Sequence, residues 1–164
     1  MNSHPFDILP LEQGGGLIFT PCPGTKGVDL QTSVAQLEQA GASAIVTLMP
    51  ETEMARFEVA ALPSVCAQHG LQWFHLPVED DMAPTAEFQQ RWEKQQGSIN
   101  RILDEKRTLA IHCRGGSGRT GLMAAIILLG RGIPFERVVS MVQALRPNAL
   151  KLQPHVDYLT SIRE

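Results

Sequence analysis

The run His112-Cys113-Arg114-Gly115-Gly116-Ser117-Gly118-Arg119-Thr120-Gly121 gathers, in ten positions, most of the side chains in this sequence that could do chemistry together. It joins an apolar stretch, Leu109-Ala110-Ile111, to a second one, Thr120 to Leu129, which is apolar almost all round. A strand that turns through Gly115, Gly116 and Gly118 into a helix N-terminus is an anion site from its backbone alone. The amides of residues 114–119 converge, the helix dipole adds partial positive charge, and glycine permits the close approach and positive φ that such a turn needs. Cys113 stands at the mouth of that loop, where amide dipoles and an arginine favour its thiolate, the nucleophilic form. Arg119 offers a planar fork that can hold two oxygens of a phosphoryl group, which the point charge of a lysine could not do in the same way. Thr120 can aim its hydroxyl at the sulfur and stabilise it as a departing thiolate. His112 is expected to hydrogen-bond into the loop and set its shape. The nucleotide-binding spacing G-x-x-x-x-G-K-[ST] is absent, so the glycines do not imply a nucleoside triphosphate.

His-Cys-x5-Arg-Thr resembles the signature of the cysteine-dependent protein tyrosine and dual-specificity phosphatases. The likeness extends to Pro21-Cys22-Pro23-Gly24-Thr25-Lys26, to Pro77-Val78-Glu79-Asp80, and to Arg146-Pro147, which recur in similar order in the kinase-associated phosphatase branch. It spans about residues 17–160, specific at 112–121 and diffuse elsewhere. The resemblance implies a four-stranded parallel sheet flanked by helices, chemistry without metal or cofactor, and a phosphocysteine intermediate. It also implies a carboxylic acid on a loop upstream of the cysteine, because an alkoxide or phenoxide leaves poorly unless protonated. Here that loop carries Glu79, Asp80 and Asp81; the P-x-x-D match selects Asp80, with Asp81 as the alternative. Two other readings share a cysteine loop: a sulfurtransferase or arsenate reductase, and a non-catalytic phosphate-binding or kinase-docking module. Neither Asp80 nor Thr120 follows from the first. A module without turnover has no need of Cys113, Arg119 and Asp80 together.

These residues must be placed by a layered scaffold. Strands are expected at Leu17–Thr20, Ala44–Met49, Gln72–Leu76 and Leu109–Ile111, and helices at Asp29–Ala40, Leu62–His69, Thr120–Leu129, Pro134–Leu145 and Pro154–Ile162. A long helix capped by Thr85 carries Phe88, Trp92, Ile99, Ile102 and Leu103 on one side. Strands alternating with helices predict a three-layer α/β/α fold with a central, mostly parallel sheet of four to five strands. One phosphatase domain over residues 1–164 is expected, with an irregular N-terminal segment over 1–16.

Composition agrees with this and narrows it. The 164 residues carry 14 basic and 17 acidic side chains, a net charge of −3, which gives no electrostatic case for nucleic-acid binding. No apolar run is long enough to span a bilayer, and no leader pattern opens the sequence, so a cytoplasmic protein is the expectation; a monomer is expected, and the resemblance implies a phosphorylated protein as substrate. Three widely spaced cysteines make no disulfide framework. Cys22 and Cys66 read as unreactive, although Cys22 could pair with Cys113 on oxidation. His4, His69, His75 and His155 show no metal-ligand spacing and read as surface or packing residues. Glu53 either orients Arg119 or is a charge on a surface helix, and Arg146 is read as a brace for the loop before the last helix.

Overall fold

The computed structural model describes residues 3–163, so Met1, Asn2 and Glu164 lie outside the described residues. Five strands form one sheet: β1 (Asp7–Pro10), β2 (Gly16–Thr20), β3 (Ala42–Thr47), β4 (Gln72–His75) and β5 (Thr108–His112), in the order β1-β2-β5-β3-β4. The four strands β2, β5, β3 and β4 run parallel, and β1 pairs antiparallel with β2. This is the mostly parallel sheet expected, with one addition. Residues 1–16 were expected to be irregular, but β1 folds back as a hairpin on β2, with Asp7 opposite Phe19 and Pro10 opposite Gly16. The segment escapes a periodicity search because β1 is a short edge strand whose residues stay largely exposed.

Among the described residues seven helices cover the two faces: α1 (Leu30–Gln39), α2 (Glu51–Arg56), α3 (Leu62–Gln68), α4 (Ala86–Asp104), α5 (Gly118–Gly130), α6 (Phe135–Leu145) and α7 (Gln153–Ile162). Strand alternation divides the core. Leu17, Phe19, Val46 and Ile111 pack on α4 to α7, whereas Ile18, Ile45 and Ala110 pack on α1 to α3. The central strands are therefore buried on both faces, the pattern their continuous apolar runs required. Asp29 caps α1 through Thr32 N, and Thr85 caps α4 through Phe88 N.

One boundary and one element differ from the expectation for physical reasons. The run Ala44–Met49 overshoots β3, whose ladder ends at Thr47; Leu48 and Met49 remain buried, and Leu48 N still reaches His112 O at 3.1 Å. Helix α2 was missed as an element because only Glu53 and Met54 of its six residues are buried, too few for a helical stripe.

Helix α5 is the axis of the site. It begins at Gly118, inside the reactive run, and its first turn closes with Gly121 N on Ser117 O at 2.7 Å. A side chain at Gly121 would meet Ala149 Cβ at 2.7 Å, so only glycine admits the chain leaving α6 this close to α5. No helix among the described residues is long and apolar enough to cross a membrane.

Candidate active site

The loop between β5 and α5 wraps the sulfur of Cys113, which is 3% exposed. Gly116 N donates to Sγ at 3.3 Å and Thr120 Oγ1 donates to it at 3.2 Å. The structure thus brings the Thr120 hydroxyl and the Gly116 amide to the sulfur. Gly116 adopts φ +81°, and a side chain there would lie 2.6 Å from Thr20 C and Pro21 N. Both the conformation and the space demand glycine. Arg114, Gly115 and Gly118 are exposed at the loop's outer edge, and Ser117 is half-buried. The Arg114 guanidinium stacks on Phe57, 4.6 Å from the ring centre.

His112 is fully buried, and its protonation follows from its partners. Its Nδ1 faces the carbonyl of Cys113 at 3.0 Å, which only accepts, so Nδ1 carries the hydrogen. Nε2 then accepts from Thr47 Oγ1 at 2.7 Å, and Thr47 in turn accepts from Trp73 Nε1 at 2.8 Å. A chain across β4, β3 and β5 thereby fixes the backbone at Cys113. Burial holds His112 well below its ordinary 6.5, at about 4. Burial likewise lowers His4, His75 and His155.

The sign is definite for these four. Between pH 6.5 and about 4 the unfolded chain takes up the His112 proton and the folded chain does not. Stability is therefore flat with respect to these groups above 6.5 and falls as the solution is acidified through that window, by about 1.4 kcal/mol per pH unit for His112. Urea unfolding from pH 8 to 4 should show this decline, and a curve flat down to pH 4 would contradict it.

Arg119, 2% exposed, is the most constrained charge in the molecule. Glu53 holds it with two oxygens, Oε1 on Nη1 at 2.8 Å and Oε2 on Nη2 at 2.9 Å, and Val78 O accepts from Nη1 at 3.0 Å. Burial opposes its charge, but the Glu53 hydrogen bonds and the neighbouring negative charges outweigh that and raise its pKa above the usual value. Glu53 is itself only 7% exposed, so it orients Arg119 and is no surface charge. Arg119 Nε is also buried, and it has no partner. A buried N–H left unpaired costs stability, and here it waits for an acceptor.

The acid loop approaches from the other side. Asp80 Oδ1 lies 3.5 Å from Arg119 Nη2, and Asp80 and Asp81 line a cavity of about 390 Å³ with Gly118, Arg119, Lys151 and His155. Met82 N turns back on Glu79 O at 3.1 Å, and Asp81 takes φ +64° within that turn, so the two aspartates leave the backbone differently. His155 Nε2 faces Met82 O at 3.0 Å and pins the loop to α7. His155 and Arg146 both have positions that sequence reading gave only as packing or bracing. A histidine two residues into a helix, far from its loop in sequence, carries no local signal for such a contact.

The remaining cysteines are spectators of this arrangement. Burial pushes the thiols of Cys22 and Cys66 up to about 12, with the charges of Cys113 and Glu53 adding to the effect at Cys22. Cys22 Sγ–H points to Pro23 O at 3.5 Å. Among the described residues no group of three or more His, Cys, Asp or Glu side chains could hold a metal ion. A second cavity of about 410 Å³, between the β1–β2 connection, α4, the end of α5 and α6, contains none of the expected site residues.

A buried thiol with two donors on sulfur, beside an arginine with an unpaired Nε and an aspartate within reach, is a phosphoryl-transfer geometry. The family model of the DSP-PTPase phosphatases of polymorphic toxin systems matches residues 24–133. The chain belongs to this phosphatase family. It is a cysteine-dependent phosphatase, a phosphoric monoester hydrolase of the dual-specificity type. Cyclin-dependent kinase inhibitor 3 of Rattus norvegicus is 29% identical over 149 residues, covering 87% of this chain and 69% of the relative. Its counterpart in Homo sapiens is 27% identical over 153 residues, with the same coverage. Among solved structures, kinase associated phosphatase with its catalytic-site cysteine replaced by serine superposes with a TM-score of 0.86 at 23% identity, covering 99% of this chain and 96% of that one. PTPMT1 in complex with PI(5)P superposes at 0.65 with 14% identity, over 90% of this chain and 89% of that one. These two structures share the fold.

Proposed function

We propose that this phosphatase removes phosphate from protein side chains through a phosphocysteine at Cys113. The observation that supports it best is the unpaired, buried Nε of Arg119 beside a sulfur that already has two donors. The Cys113 thiolate attacks phosphorus, forming the S–P bond as the P–O ester bond breaks. Asp80 gives its proton to the leaving oxygen. The loop amides of residues 114–119 and Arg119 hold the other phosphoryl oxygens, where hydrogen bonds gain most as charge moves onto them. Water then attacks phosphorus, passing a proton to the Asp80 carboxylate, and the S–P bond breaks. The sulfur departs as a thiolate held by Thr120 Oγ1 and Gly116 N.

Asp80 is preferred to Asp81 because its carboxyl group lies at the phosphoryl-holding guanidinium, 3.5 Å from Arg119 Nη2, where an arriving phosphate takes over that contact and leaves the carboxyl group beside the leaving oxygen. Asp80→Asn is expected to lose about a hundredfold or more in kcat on a phosphothreonine peptide, whose leaving oxygen needs a proton, and far less on an activated aryl phosphate. Equal losses on the two substrates would remove Asp80 from the acid role.

A protein substrate, with kinases as the class suggested by the relatives' names, fits the resemblance to cyclin-dependent kinase inhibitor 3. A cytoplasmic monomer without nucleic-acid or membrane partners remains part of this reading. The deciding experiment captures ligands on Cys113→Ser with phosphotyrosine and phosphothreonine peptides beside vesicles bearing phosphoinositides. Retention of the vesicles alone would replace the protein substrate by a lipid one.

A further inference from the structure

Arg146 follows α6, and its guanidinium reaches back across the molecule to the reactive loop. Its Nε donates to Gly116 O at 2.8 Å, its Nη2 to Phe19 O at 3.2 Å, and its Nη1 to Asp7 Oδ2 at 2.8 Å. The group also lies 5.8 Å from the centre of the Phe19 ring. One side chain thus ties the loop to the end of β2 and to β1, the strand that sequence periodicity does not reveal. We propose that Arg146, anchored by Asp7, is a positioning residue that keeps the Gly116–Ser117 peptide in its anion-binding orientation. It builds on the phosphatase reading and concerns how the site is kept competent.

The reason lies in the peptide unit. No peptide among the described residues is cis, so in each unit the C=O and the following N–H point opposite ways. Drawing Gly116 O toward Arg146 therefore turns the Ser117 N–H away from Arg146. Gly116 stands at φ +81° with its own N–H on Cys113 Sγ. Glycine crosses between positive and negative φ at little cost, so a loop rich in glycine gains its shape and loses its rigidity together. A flip of this peptide would present a carbonyl oxygen where an amide donor is needed, and a carbonyl repels a phosphoryl oxygen. The Arg146 hydrogen bond is what opposes that flip. A lysine there could satisfy one acceptor at a time, whereas the guanidinium spans all three.

The test needs readouts that a purely structural role would leave alone. Alkylation of Cys113 by iodoacetate, an anion that uses the loop donors, is compared with alkylation by neutral iodoacetamide in wild type, Arg146→Gln, Arg146→Lys and Asp7→Asn. Competitive inhibition by inorganic phosphate is measured beside it. For Arg146→Gln the iodoacetate preference should fall and the phosphate inhibition constant should rise, each by about tenfold or more, as expected for a displaced catalytic group. Arg146→Lys should not restore either, and Asp7→Asn should show a smaller loss in the same direction. Asp7 is more than half exposed, so that variant keeps the question answerable if Arg146→Gln does not fold. Unchanged alkylation preference and phosphate inhibition in the folded variants, or full rescue by lysine, would overturn the proposal. Alkylation requires no turnover. A wild-type protein that prefers iodoacetate but hydrolyses no phosphomonoester would overturn the hydrolase and leave the positioning role of Arg146 to the variant ratios.

Discussion

Cys113→Ser is expected to lower phosphomonoester hydrolysis by about four orders of magnitude or more while the protein continues to bind phosphate, since removing a nucleophile that acts with its partners costs nearly the whole rate. A serine hydroxyl at this position has no base to ionise it. His112 is committed at both nitrogens, to Cys113 O and Thr47 Oγ1, and burial holds it neutral, at about 4. Asp80 faces Arg119 and the cavity. The loop and Arg119 do not depend on the sulfur for their geometry, because Glu53 and Val78 hold the guanidinium and Arg146 holds Gly116. Phosphate should therefore still raise the melting temperature of the variant, which a thermal shift titration reads directly. Kinase associated phosphatase with its own catalytic-site cysteine replaced by serine has this fold, at a TM-score of 0.86 to this chain. Hydrolysis that survives the substitution would remove the phosphocysteine route. Loss of phosphate binding together with hydrolysis would show that the sulfur also shapes the pocket.

The catalytic loop was legible because its chemistry is local. Ten consecutive residues carry the proposed nucleophile, anion cradle, arginine and hydroxyl, and the apolar runs on either side announce strand and helix. The parallel sheet was legible for a related reason, since strands buried on both faces such as β3 and β5 must be continuously apolar. What the sequence left open, as for Glu53, or did not show, as for Asp7, lies in contacts between distant segments. Glu53 and Arg119 are 66 residues apart, and Arg146 and Asp7 are 139 apart. Nothing near Glu53 distinguishes it from Glu51, two residues earlier in the same helix, yet Glu53 is buried and Glu51 exposed. The usable signal was indirect. An arginine at the first turn of an apolar helix must be buried, a buried arginine must have a counter-charge, and the helix after Pro50 is one of few places to find one. β1 offered less still, because an exposed edge strand has no apolar period to read.

Breaking that counter-charge should have the second largest effect. Glu53→Gln leaves Arg119 as a buried guanidinium with two acceptors, one amide oxygen and Val78 O, where it had three, and removes the charge that justified its burial. Losing one partner of a buried pair costs about 3–5 kcal/mol, because the other charge is stranded rather than because the pair itself was worth so much. For a chain of this size that corresponds to a melting temperature lower by roughly 10 °C. Activity should fall as well, by a route that stability alone does not predict. Asp80 is the next carboxylate to Arg119, already 3.5 Å from Nη2, and the unpaired guanidinium will draw it in. The general acid is then held as a carboxylate in an ion pair, so turnover of poor leaving groups should suffer more than turnover of activated ones. Phosphate, which supplies the missing negative charge, should recover more stability in the variant than in wild type. The double variant Glu53→Leu/Arg119→Met separates the two effects: with both charges gone the core can close over apolar groups of similar size, so stability should return while hydrolysis does not. A Glu53→Gln protein that melts with wild type and keeps its selectivity among leaving groups would show that Arg119 is held by Val78 and the loop alone. Glu53 would then be a bystander.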